Sequence, residues 1–416
     1  MANEYLVNKE DLTAVAKTIR AKTGNNNRLV FPNGFVSAIN SITTTTEEVP
    51  TNGEHLIRVI DYDGKVLKEA RADTGYVFTL PSLPSHDRLT FSAWSSPVDI
   101  VNNTITVGDS DIFIGANYEV HSGAIELDVD VNTNTGLSLV FYDLDTDDTI
   151  EIDWGDGTVS NASSVDGSAN HTYAAQGEYT VKLYGVTKIN RYSFCNGDSA
   201  VNDYAIKRVF IPSTVQLSNY ALYNLCNLEA LVLPCLMSGM LNQLTTNSYA
   251  LKCLIIPPAV TSASTKISYH AGTETIVFPK GVTAIGTNTM AYSSALKYFS
   301  LPETITTIGT YFLSNCFAIK KIKLPNSVTT IGSYFCKNED NYSVINSITF
   351  GENVTSIGSN FLASATRGLE LLDFSKAKQV PTLSGTFTID NPSCKILVPQ
   401  SLYSSWKSAT NWADVA

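Results

Sequence analysis

Leu324-Pro325-Asn326-Ser327-Val328-Thr329-Thr330-Ile331-Gly332-Ser333-Tyr334-Phe335-Cys336 carries the pattern on which the second half of this chain is built. A proline follows a hydrophobic triplet here, and the same event recurs at Pro212, Pro234, Pro257, Pro279 and Pro302. The steps between those prolines, up to Pro325, are 22, 23, 22, 23 and 23 residues by subtraction. Self-similarity at a fixed period of this length signifies a solenoid, in which each unit buries its apolar face only against its neighbours. The triplet reads as a strand stacked parallel on that of the next turn. Proline at its end is tolerated where no ladder hydrogen bond is needed. The following Val-Thr-x-Ile-Gly reads as a corner that sends its apolar residues inward. The pattern starts by Val186–Cys195 and continues without proline at Ile348-Thr349-Phe350-Gly351 and Leu371–Ser375, for roughly nine turns in all. Ser401–Trp412 reads as a cap on the open end.

An array of this kind offers a long surface rather than an enclosed pocket, so a binding protein is expected and not an enzyme. The composition agrees in outline. Charged residues are 16% of the 416, against 20 Tyr and 17 Phe. The net charge of −11 is uneven: 51–180 holds 22 Asp/Glu and 5 Lys/Arg, hence −17, leaving +6 elsewhere. An acidic field disfavours nucleic acid and anionic bilayers. No stretch approaches 18 consecutive apolar residues, so no membrane insertion is expected. All seven Cys lie at or beyond Cys195, with no CxxC and an odd count, which reads as reduced, buried thiols. The start, Met1-Ala2-Asn3-Glu4-Tyr5, lacks the basic and apolar regions of a signal peptide.

The chain divides into four stretches. Residues 1–45 read as a helical anchor: Leu12, Val15, Ala16 and Ile19 form a helical stripe, and a second short helix follows Phe31-Pro32-Asn33-Gly34-Phe35. Leu12, Val15, Ile19, Phe31 and Phe35 are the candidate attachment residues. Residues 51–121 alternate as a small β-domain with an Asp63-Gly64 hairpin. Residues 122–184 form a second β-domain, and 185–416 the array and its cap. The fold class expected is therefore mostly β, multidomain, with a short helical N-terminus and a C-terminal solenoid.

Leu-Pro-x-x-Val-Thr-x-Ile-Gly-x-x-Phe at 324–335, with its variant at 301–312, resembles the BspA-type leucine-rich repeat, as does the ending Val398–Trp412. That resemblance implies adhesion or surface recognition. Ile150–Thr158 with His171-Thr172-Tyr173 and Gly177–Val181 is similar to the PKD domain, an immunoglobulin-like sandwich. Val59–Leu67 with Phe91–Trp94 looks like an internalin-type B-repeat. Glu4–Leu12 with Phe31–Phe35 resembles the head of tail-fibre-like proteins of prophages, which implies a place in a virion tail without a signal peptide. The reading that unites these is a phage or prophage tail protein. It would attach to other tail proteins through its N-terminus and recognise a glycan or protein receptor on bacteria through its repeats, as a homo-oligomer. The alternative is a bacterial cell-surface adhesin, and a third reading is a polysaccharide-degrading enzyme acting through Asp153 and Asp156.

Tyr223, Tyr249 and Tyr269 have Asn or Ser neighbours and are the candidate receptor contacts, because a tyrosine face stacks on a sugar ring. Tyr292, Tyr311, Phe312, Tyr334, Phe335 and Phe361 recur at equivalent places and read as core. Asp153 and Asp156 flank a tight turn and read as caps of its amides, and His171 as structural. No cofactor is expected; the acidic loop Asp143–Asp148 is the one place where Ca²⁺ would bind, although it lacks the EF-hand Gly and closing Glu.

Overall fold

The hydrophobic triplets become strands whose central residue points inward. In the computed structural model nine such strands follow one another: 206–210, 230–232, 253–255, 275–277, 298–300, 321–323, 347–349, 371–373 and 395–397. Eight turns of solenoid separate the first from the last. The structure describes residues 50–132, 137–163, 169–195, 205–239, 242–263, 266–339, 344–385 and 388–412. The expected anchor, with Leu12, Val15, Ile19, Phe31 and Phe35, lies outside them.

Within three groups the strands pair in parallel: 206–210 with 230–232; then Cys253 with Thr275 and Thr275 with Tyr298; then Lys321 with Ser347, Ser347 with Leu371 and Leu371 with Lys395. The central Val209, Leu231, Leu254, Ile276, Ile322, Ile348 and Leu372 are buried. Each proline then opens a turn by accepting from the amide three residues on, as Val328 to Pro325 at 3.2 Å and Ile305 to Pro302 at 3.1 Å. A second parallel ladder follows at 284–285, 307–308, 330–331, 356–357 and 382–383, with Ile285, Ile308, Ile331, Ile357 and Leu383 inward. The glycine after each isoleucine exists for close approach: a Cβ on Gly332 would stand 2.6 Å from the Gly309 carbonyl carbon, and one on Gly309 2.4 Å from Gly286 O. The third side of each turn is a tight coil that carries Phe312, Phe335 and Phe361 into the interior, together with the buried Cys316 and Cys336.

Both ends are closed. Residues 124–189 form β7 (Ile125–Val131), β8 (Ser138–Phe141), β9 (Leu144–Asp153), β10 (Val159–Ser163), β11 (Ala169–Thr172) and β12 (Gly177–Ile189), numbered after six strands described next. The order β10-β9-β12-β7 runs directly into strands 206–210 and 230–232, with β7 antiparallel to 206–210. The open edge of the array is thereby paired, which removes a liability of exposed sheet edges. The core is continuous from Ile125 to Trp412. At the far end Trp406 of the helix Tyr403–Ser408, and Trp412 in the turn after it, pack against Phe374 at ring distances of 5.1 and 5.3 Å.

The preceding stretch supplies β1 (His55–Ile60), β2 (Val66–Ala72), β3 (Val77–Thr79), β4 (Leu89–Ser95), β5 (Thr104–Thr106) and β6 (Ile112–Val120). Its main sheet has the order β2-β1-β6-β4, with β1 parallel to β6. Sequence alternation reads it as a small β-domain of its own. In the structure its sheet lies face-on over the strands of the array, and Gly53–Ala416 is one compact unit.

Candidate ligand-facing surfaces of the array

The residues flanking each central position point away from the solenoid interior and form its strand face. On the first turns that face is apolar, with Phe210, Val232, Cys253, Ile255 and Val277. It is not free. Leu56, Ile60 and Phe113 of the overlying sheet pack on Cys253, Ile255 and Val277, while Leu89, Ala116, Tyr118 and Val120 pack on Phe210 and Val232. Polar contacts join in: the Phe113 amide donates to Ser300 Oγ at 3.2 Å, the Ser95 hydroxyl to Ile256 O, and the Arg58 guanidinium lies 4.2 Å from the Tyr298 ring centre. Beyond strand 298–300 the face opens, with Lys321, Lys395 and Leu397 exposed. There Asp109, in the loop between Thr106 and Ile112, meets Lys376 and Lys323, and the Lys376 hydrogen bond, with Lys323 beside it, holds its carboxyl below the ordinary value.

A second surface lies where the three parts meet. A cleft of about 430 Å³ is lined by Arg88, Asp128, Asp130, Glu178, Lys207 and Glu229 among others. Arg88 makes two hydrogen bonds of 2.7 Å to the Asp128 carboxylate and one of 3.3 Å to the buried Glu126, and its plane covers Phe210. Lys207 reaches Asp130 at 3.3 Å and Glu229 at 3.5 Å, and Arg208 reaches Asp128 at 3.6 Å. Charges of both signs answer each other here, so this cleft joins the overlying sheet, β7 and the first repeat strand.

The third surface is an edge of the solenoid. In most turns the tight coil takes left-handed backbone at two places four residues apart. The first is occupied by Tyr192, Tyr220, Gln243, Lys266, Asn288, Tyr311, Tyr334 and Asn360, with φ from 53° to 64°. The second is occupied by Asn224, Asn247, His270, Tyr292, Asn315 and Ser364. Asn tolerates this conformation; a bulky residue there is unusual and costs about 1–2 kcal/mol. Five tyrosines accept that cost, and all five are half-buried at the surface. Tyr311 and Tyr334 stack at 4.7 Å, as do His270 and Tyr292 at 4.5 Å. Tyr192, Tyr220 and Tyr223 meet at 5.4–5.7 Å, with Arg191 lying 4.5 and 4.3 Å from the Tyr192 and Tyr220 ring centres. Burial, with Lys266 nearby, holds the His270 pKa below the ordinary histidine value. Burial and Glu339, which accepts from Tyr292 Oη at 3.2 Å, push the Tyr292 pKa up.

The sequence candidates fall around this edge. Tyr223 joins the Tyr192–Tyr220 cluster, Tyr269 lies 5.2 Å from Tyr292 with Lys266 over its ring, and Tyr249 is 54% exposed. Phe312, Phe335 and Phe361 are core as expected, but Tyr292, Tyr311 and Tyr334 are at the surface. Period alone cannot separate the two groups, because the left-handed twist that turns the tyrosines outward is a property of the folded coil. Asp153 Oδ1 accepts from the Gly155 amide at 3.0 Å, and Asp156 Oδ1 from the Thr158 amide at 3.0 Å and its hydroxyl at 2.6 Å. His171 stacks on Trp154 and reaches Asp156 Oδ2 at 2.7 Å. The acidic run Asp143–Asp148, expected as a loop, is strand from Leu144 on, within β9, and its Asp145 is engaged by Asn190 at 2.7 Å and Lys188 at 3.5 Å.

Residues 178–289 and 265–384 match the BspA type leucine-rich repeat region, in six copies. No curated protein matches the chain. A leucine-rich repeat protein from Bacteroides ovatus ATCC 8483 is similar in structure, at 22% identity and a TM-score of 0.44, over 62% of this chain and 71% of that one. The T. pallidum leucine-rich repeat protein TpLRR shares 18% identity over 38% of this chain and 83% of its own, with a TM-score of 0.30. A leucine-rich cell surface protein from Faecalibacterium prausnitzii A2-165 shares 18% identity over 55% and 87%, with a TM-score of 0.24.

Proposed function

Residues 178–384 of this chain belong to the BspA-type leucine-rich repeat family, and from that premise we propose that the protein is a bacterial surface-recognition protein, an adhesin whose array binds its partner through the tyrosine edge. One observation carries the reading: five tyrosines stand at left-handed positions that Asn fills elsewhere in the same columns. Stability favours Asn at such a position, so the aromatic side chain serves something other than the coil. Tyrosine faces beside the amides of Asn224, Gln243 and Asn247 suit a glycan or an extended peptide. Each contact is modest, and several copies of the chain on one particle would multiply them.

The test replaces Tyr311 and Tyr334 together by Asn, and Tyr192 and Tyr220 likewise, in the full chain. Asn keeps the backbone conformation, so melting temperatures stay within a few degrees. Loss of two stacking contacts, at about 0.5–1.5 kcal/mol each, weakens binding to intact bacterial cells by about tenfold. Undiminished cell binding by both double variants sinks the proposal.

A finer reading, attachment to a phage tail through residues 1–45, rests on the motifs at 4–12 and 31–35. Labelled protein that binds purified tails, and loses that binding when Leu12, Val15 and Ile19 are changed to Ser, supports it. Binding to cells without binding to tails leaves the cell-surface adhesin.

A further inference from the structure

The strand face is a broad surface of the kind that solenoids use for partners, and on this array part of it is taken by the chain itself. Phe210, Val232, Cys253, Ile255 and Val277 are each 7% exposed or less. Uncovered, they would form a continuous apolar patch, the kind of surface that marks an interaction site. The sheet β2-β1-β6-β4 covers it through two apolar clusters, and neither belongs to the continuous core that runs from Ile125 to Trp412. The fit is specific. A Cβ on Gly115 of β6 would stand 2.6 Å from Ile255 Cγ1, so glycine is what lets this strand seat on the array. Gly64, in the β1–β2 turn at φ 87°, passes over Lys252 and Cys253 with a would-be Cβ 3.4 Å from each.

We propose that residues 55–120 are an internal occupant of the strand face of the first turns: they fill the place that a partner's surface would take there, and direct external partners to the tyrosine edge and the later turns. The second clause rests on the array's being the recognition element; the first stands without it.

Thiol accessibility reads the cover directly. Cys253 lies beneath the sheet, Cys316 and Cys336 lie in the solenoid interior, and Cys394 is half-buried near the end. Burial pushes the thiols of Cys253 and Cys316 up to about 12, so access decides their labelling. The full chain is treated at pH 7.5 with a maleimide carrying polyethylene glycol, and modified sites are mapped by mass spectrometry. In the wild type Cys394 reacts and Cys253 does not. Gly115→Phe lifts the sheet, and Cys253 then reacts at least tenfold faster while Cys316 and Cys336 stay protected. Wild-type Cys253 reacting as fast as Cys394 overturns the proposal, as does protection of Cys253 in Gly115→Phe. If that variant also exposes Cys316 and Cys336, the milder Phe113→Ala, which thins the same cluster, is judged by the same criteria. Cell binding supplies the second arm. A variant with Cys253 open and the interior closed keeps wild-type cell binding; a tenfold loss places the partner on the cover and overturns its role as occupant. Failure of the tyrosine variants to affect binding, with these thiol results intact, removes the edge and leaves the cover standing.

Discussion

Tyrosine is a poor choice for left-handed backbone, and glycine adds flexibility without a side chain to pack, yet several turns of this chain use one or both where they stack. The glycines answer a steric demand of the solenoid. Gly286, Gly309, Gly332 and Gly358 lie over one another in successive turns, with no room for a Cβ between backbones. Gly332→Ala is expected to destabilise the array by about 1–3 kcal/mol, the usual cost of overpacking, as read by chemical denaturation. An unchanged midpoint would show that the turns separate freely. Asp156 has a different reason. The Thr158 hydroxyl, the Thr158 amide and His171 hold its carboxyl at about 2, below its ordinary value of 3.8. A carboxyl lowered in the folded state stabilises above its unfolded value, and that contribution disappears as pH falls from about 4 to about 2. Asp156→Asn should therefore lose less stability than the wild type between pH 5 and pH 2; parallel curves for the two proteins would refute this.

Among the elements, the repeat strands were the most legible. Three apolar residues and a proline at a constant step leave little freedom, since only parallel stacking buries the central one in every turn. The cap was legible for the same reason: Trp406 and Trp412 are too large and too apolar to stand free at an open end. Trp412 donates from Nε1 to Pro381 O at 2.8 Å and packs on Phe374. Trp412→Ala is expected to cost about 3–5 kcal/mol, chiefly at the near turns. Hydrogen exchange would rise in strands 371–373 and 395–397 while 230–232 keeps its protection; a uniform rise would argue against a local cap. The β7–β12 stretch was legible as strands, but its pairing with strand 206–210 was not. An edge pairing leaves no periodic trace, because any strand of suitable length meets the backbone requirement.

At the scale of the molecule, one core serves both β7–β12 and the array. Leu127 and Val209 are paired neighbours and fully buried within it. Leu127→Ala should cost about 2–5 kcal/mol and lower exchange protection in β7 and strand 206–210 together. Loss confined to β7 would mean that the two fold separately. The charge imbalance also takes its meaning at this scale. Residues 51–180 carry −17 by sequence, which read as a solvated acidic field. Part of it faces the array instead: Asp109 meets Lys323 and Lys376, Asp128 meets Arg208, and Asp130 meets Lys207. The acidic stretches and the basic array complement each other across their own contacts.

The sequence by itself determined that this chain stacks parallel strands about every 23 residues, which residue at the centre of each strand faces inward, and that the far end is capped. Burial of one apolar residue per strand at a constant period has a single economical solution. The tertiary structure alone decided which surfaces remain for a partner. The strand face of the first turns is hidden by residues nearly 200 positions away in the chain, since Phe113 packs beside Tyr298. The tyrosines come outward through backbone torsions that no hydrophobic pattern encodes. Both depend on contacts between segments far apart in sequence, where periodicity carries no information.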